Sequence, residues 1–133
     1  SRRGFTLIEV LTALFVLTMG MVAVTALLSR TASFTAGVNS NFAASFLSQE
    51  GLEIARNTRD TNFLKIRKDL PVQWDDGLTQ GEQPLTPFQR TITVTPRSQD
   101  ILEVSAKVSW TEKGAQKSVT ASTYLTNWLT STP

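Results

Sequence analysis

From Phe5 to Leu28 the chain reads FTLIEVLTALFVLTMGMVAVTALL, 24 residues with a single charge, Glu9. At a rise of ~1.5 Å per residue a helix over this run spans ~36 Å, against ~30 Å for the hydrocarbon core of a bilayer. Arg2 and Arg3 stand before the run and the next charge is Arg30. The positive-inside rule then holds the N-terminus in the cytoplasm and sends the rest across. A secretory signal peptide has a shorter apolar core followed by a small-residue cleavage site; VTALLSRTASF offers Ala and Ser but comes after too long a run. A plain signal anchor accounts for the length but not for Glu9. An ionised side chain at mid-bilayer costs ~2.5–3.5 kcal/mol on insertion scales, so Glu9 calls for a partner.

Composition narrows the chemistry. The 133 residues contain no cysteine and no histidine. A disulfide framework, a thiolate nucleophile and an imidazole base or metal ligand are therefore excluded. The net charge of +2 comes from 13 basic and 11 acidic residues. Arg2 and Arg3 match that excess, so the basic balance belongs to the residues ahead of the apolar run and does not indicate an acidic partner. Beyond Leu28 there are 105 residues, enough for one small core.

The order of residues at the start is specific: Arg2-Arg3-Gly4-Phe5-Thr6-Leu7-Ile8-Glu9-Val10, then the apolar run. This resembles the processing site of type IV prepilins and of the pseudopilins of type II secretion. The resemblance implies cleavage after Gly4 by a membrane prepilin peptidase and N-methylation of the new amine on Phe5. It also implies a role for Phe5 and Glu9 in subunit assembly. Glu9 lies one helical turn from that amine, within reach of its own Phe5 or a neighbour's. Breaking a buried ion pair is costly even where forming it gains little, so such a pair suits the fixing of register. Many relatives carry a proline in the stem, and this chain has none. Any kink is expected only around Gly20 and the nearby threonines, with Gly37 a second weak point. The chain starts at Ser1 without methionine, so the leader is expected to be incomplete.

After Leu28 no proline intervenes until Pro71. One helix is expected from about Phe5 to about Arg59, with Asp60-Thr61-Asn62 breaking it. Ala43, Leu47, Glu50, Ile54 and Thr58, with Phe46 beside them, form the stripe expected to cover a sheet; Phe34, Val38 and Phe42 form another. Leu70-Pro71, Asp76-Gly77, Gly81, Pro84 and Pro87 mark a connecting loop. Strict alternation follows in Phe88–Val94, Leu102–Trp110 and Lys117–Leu125, with a hairpin near Gly114. The expected fold is α+β, a long N-terminal helix on an antiparallel sheet of about three strands, which the resemblance identifies with the type IV pilin fold. The divisions are a residual leader at 1–4, a transmembrane or filament-core helix at 5–28 and its amphipathic continuation at 29–59. A connecting loop at 60–87, a β-meander head at 88–128 and a tail at 129–133 complete the chain.

Asp75 and Asp76 beside Gly77, with Glu82, offer oxygen ligands for calcium, but their spacing matches no EF-hand loop and a solvated turn explains them better. Lys65, Arg67 and Lys68, with Phe63 and Trp74 nearby, offer charge and stacking for single-stranded DNA, yet Asp60 and Asp69 flank them. Nothing suggests catalysis or a cofactor. The short head looks more like a minor pilin or pseudopilin than a major one. The reading is a structural subunit of a type IV filament, anchored in the inner membrane with its head outside the cytoplasm. Its expected partners are other pilin or pseudopilin subunits, the prepilin peptidase, the inner-membrane assembly platform and, before assembly, lipid. The alternatives are a type II secretion pseudopilin, a competence minor pilin, or a signal-anchored module contacting DNA.

Overall fold

The computed structural model of the chain describes residues 4–129. Arg2 and Arg3 of the expected leader, and residues 130–133 of the expected tail, lie outside the described residues. Helix α1 runs Leu7–Ile66, followed by strands β1 (Gly81–Leu85), β2 (Phe88–Ser98), β3 (Ile101–Glu112) and β4 (Ala115–Thr126). The chain divides into two compact units, Ser1–Asn39 and Ser40–Pro133, and α1 contributes to both.

In the first unit α1 is helical through Gly20 and Gly37, so no melted segment interrupts it. Four of its threonines are satisfied locally. Thr12, Thr18, Thr25 and Thr31 donate their hydroxyls to the carbonyls of Glu9, Phe15, Met21 and Leu27 at 2.8–3.0 Å. Such back-bonding lets a threonine sit in apolar surroundings without an orphan hydroxyl.

In the second unit the sheet is an antiparallel meander in the order β1-β2-β3-β4. It has four strands where three were expected: Gly81–Leu85, assigned to the connecting loop, pairs along β2 with Leu85 opposite Phe88. Pro84 obscured it, because proline is admitted in a sheet only at an edge, and β1 is an edge. The β3–β4 hairpin turns through Lys113 and Gly114 at φ 51° and 79°, the pattern of a type I′ turn. The alternation in β3 is borne out: Leu102, Val104, Ala106, Val108 and Trp110 are all buried.

The covering face of α1 differs in part from the expected one: Leu47 packs on the sheet and Glu50 reaches Arg90, but the buried residues lie elsewhere. Ala44, Ser48, Gly51, Leu52, Ala55, Asn62 and Phe63 are buried, whereas Phe46 is 68% and Ile54 47% exposed. The reason is close approach. A Cβ at Gly51 would lie 2.9 Å from Ile92 Cδ1 and 3.1 Å from Ala106 Cβ, so only small side chains fit where helix and sheet touch. Around that contact Leu52, Ala55 and Phe63 join Leu102, Val104, Ala106, Leu125 and Trp74 in one core cluster. Ala44 joins Val108 and Trp110 in a second, where the rings of Phe88 and Trp110 meet edge-on at 5.8 Å.

The break at Asp60-Thr61-Asn62 does not occur, and α1 continues to Ile66. Asn62 is buried, and its Nδ2 donates to the carbonyls of Trp74 (3.3 Å) and Asp76 (2.7 Å). Phe63 beside it is 2% exposed. Tertiary anchoring of this turn overrides the weak helix propensity of its polar residues.

Candidate functional site

Gly4, Phe5 and Thr6 are non-helical and exposed, and α1 begins immediately after them. The Thr6 carbonyl accepts from the N–H groups of Glu9 (3.1 Å) and Val10 (3.2 Å), while Thr6 Oγ1 accepts from Glu9 N–H at 3.3 Å. Thr6 is therefore the N-cap and Glu9 the third helical residue, the spacing of a capping box. The sequence signal for this cap is the Thr-x-x-Glu pattern ahead of an apolar run.

The Glu9 carboxylate meets no side-chain partner among the described residues. Its negative charge in the first turn is favoured by the helix dipole, worth ~0.3–1 kcal/mol near a surface. That gives Glu9 a local structural role, and the carboxylate remains open to a cation outside the chain. Phe5 is 84% exposed, and no heavy atom lies within 4 Å of a Cβ built at Gly4.

From Leu7 to Leu28 the helix shows its large apolar side chains to the outside. Its most apolar 18-residue window has a mean hydropathy of 2.3, and none of that window is buried. An uncovered apolar surface of this size requires lipid or other apolar helices.

The calcium candidates are not brought together. Asp76 Oδ2 accepts from Gln73 N–H at 2.7 Å, closing a turn, while Glu82 on β1 accepts from Gln89 Nε2 at 3.0 Å. With Asp75 they form no group of three metal-binding side chains, and none exists among the described residues. Lys65, Arg67 and Lys68 are exposed at the end of α1. Their expected stacking partners are not available, because Phe63 and Trp74 belong to the core. Arg97, on β2, forms a hydrogen bond and an ion pair with Glu103, which raises its pKa above the ordinary arginine value and keeps it cationic.

A single apolar N-terminal helix continuing onto an antiparallel sheet is a pilin-like α+β arrangement. Residues 1–25 match the family model of the prokaryotic N-terminal methylation motif, the type IV pilin-type prepilin signal. No curated protein and no solved structure matches the chain. The motif and the uncovered helix support a pilin-like or pseudopilin subunit that assembles with other such subunits and is anchored in the inner membrane before it enters a filament.

Proposed function

We propose that this chain is a structural, minor-pilin-like subunit of a type IV filament, cut after Gly4 and N-methylated on Phe5. The observation that carries the reading is the uncovered apolar helix directly after an exposed Gly4–Phe5 bond, within the matched motif. In the membrane lipid covers the helix; in the filament the helices of neighbouring subunits replace lipid. Arg2 and Arg3 keep the leader on the cytoplasmic side, so the head enters the space outside the cytoplasm. The role is structural rather than catalytic. A type II secretion pseudopilin has the same N-terminal requirements, and neighbouring genes for a retraction ATPase or for a secretin separate the two.

Mass spectrometry of the native protein tests the proposal. The expected mature chain starts at Phe5 and carries one methyl group on its amine. A chain still starting at or before Arg3, or cut near Ser29, would overturn it.

A further inference from the structure

We propose that Thr6 is a positioning residue for processing: its hydroxyl fixes the start of α1 at Leu7 and so keeps the Gly4–Phe5 peptide bond out of the helix. The inference rests on the reading that the chain is cut after Gly4. Hydrolysis breaks the bond between the Gly4 carbonyl carbon and the Phe5 nitrogen. The hydroxyl of water stays on the new Gly4 carboxyl group, and a proton goes to the Phe5 amine. A peptidase must reach that carbonyl and polarise its oxygen. Among the described residues no group donates a hydrogen bond to the Gly4 or Phe5 carbonyl; the first carbonyl that α1 uses is that of Thr6.

The margin that holds this start is narrow. Glycine is nearly as good an N-cap as threonine, so Gly4 is a competing start two residues upstream. A helix capped at Gly4 would have the Gly4 carbonyl accept from Ile8 N–H, occupying the oxygen that hydrolysis needs. Two features favour Thr6 over Gly4. One is the 3.3 Å hydrogen bond from Glu9 N–H to the Thr6 hydroxyl. The other is Glu9 itself, which lies in the first turn when the helix starts at Leu7 and beyond it when the helix starts at Phe5.

The test uses the full precursor in detergent with a prepilin peptidase, and follows cleavage by mass spectrometry. Thr6→Val keeps the branched shape but removes the acceptor, and should slow cleavage by up to about five-fold, the change in the equilibrium constant for a lost cap. Thr6→Ser should cleave like wild type. Adding Leu7→Pro to Thr6→Val should restore the rate, because proline suits the first helical position and keeps the preceding residue extended. Carbon chemical shifts of Gly4 and Phe5 give a second reading, expected to turn helical in Thr6→Val alone. Thr6→Val cut at the wild-type rate, or a double variant that stays slow, would overturn the positioning role. An uncut wild type would instead overturn the processing reading, and the chemical shifts would still show whether Thr6 sets the helix start.

Discussion

Arg90 Nη1 on β2 lies 3.0 Å from the Glu50 carboxylate on α1, and the two differ sharply in exposure, with side chains 5% and 58% exposed. The same nitrogen donates to the Leu47 carbonyl at 2.9 Å, and the rest of the guanidinium fork holds Gln83 Oε1 of β1 at 2.9 and 2.6 Å. One buried cation thus ties the helix to two strands. The fork, more than the ion pair, is what α1 depends on. Arg90→Ala should destabilise the head by about 1.5–3 kcal/mol, by removing the charge-assisted hydrogen bonds of a buried guanidinium and the packing of its stem. Glu50→Gln should cost less than about 1 kcal/mol, because its carboxylate is solvated. Urea unfolding of the full chain in detergent, read by the buried Trp74 and Trp110, would give both values. Equal losses would assign the stability to the charge pair instead.

Gly51 sets how closely the helix approaches the sheet. Gly51→Val places branched carbons where Ile92, Ala106 and Arg90 already stand within 3.1 Å of the Cβ position, and should cost about 1–3 kcal/mol. Gly51→Ala should cost less than the valine. A gain of about 1 kcal/mol in helix propensity and the ease of moving the Ile92 chain end offset part of the loss, while the pinned Arg90 Cδ and the Ala106 Cβ at 3.1 Å resist. The same unfolding measurement ranks the two variants. A valine as stable as wild type would mean that the helix can move off the sheet freely.

How far the sequence revealed this structure depended on whether local pattern or close approach governed each element. The alternation of β3 was legible because one face of a strand is buried along its whole length. The apolar run with Glu9 was legible because length and charge alone define it. The covering face of α1 was not, because the reading followed large apolar residues such as Ile54 and Phe46. The contact is instead made by Ala44, Ser48, Gly51 and Ala55, whose small size matters only once the sheet lies against them. Asn62 was read as a helix breaker, since its partners, the carbonyls of Trp74 and Asp76, are known only from the fold. Thr6 is legible only as half of the Thr-x-x-Glu spacing, a pattern whose meaning depends on where the helix starts.

The basic triplet should contribute little to nucleic-acid binding. Lys65, Arg67 and Lys68 are exposed, but Phe63 and Trp74 are enclosed in the core and cannot stack on bases. Stacking is worth about 1–3 kcal/mol per base, so its loss leaves only a small electrostatic contact. With the leader removed, the 13 basic residues fall to 11, against 11 acidic ones. The processed chain should therefore bind single-stranded DNA weakly, and replacing all three basic residues with serine should change little. A binding titration across salt concentrations checks this. Tight binding with a steep salt slope that the triple variant abolishes would restore the competence alternative.

Glu9 allows the sharpest test of assembly. Its carboxylate is exposed and has no partner among the described residues, yet it lies in a segment that must be covered by lipid or helices. If it only favours the helix start, Glu9→Leu should weaken that start by no more than about 1 kcal/mol and leave assembly intact. If it pairs with the Phe5 amine of a neighbouring subunit, Glu9→Leu should still insert, relieved of up to ~2.5–3.5 kcal/mol at mid-bilayer and less near the interface. Incorporation into filaments should fall nonetheless, because the neighbour's amine loses its counter-charge in apolar surroundings. Glu9→Asp keeps the charge on a shorter arm and should retain part of the activity. The measurement is the ratio of filament-bound to membrane-bound protein in wild type, Glu9→Leu and Glu9→Asp, with cleavage after Gly4 verified in each. The pairing account requires the order wild type, then aspartate, then leucine. Equal ratios would leave Glu9 with its helix-start role alone.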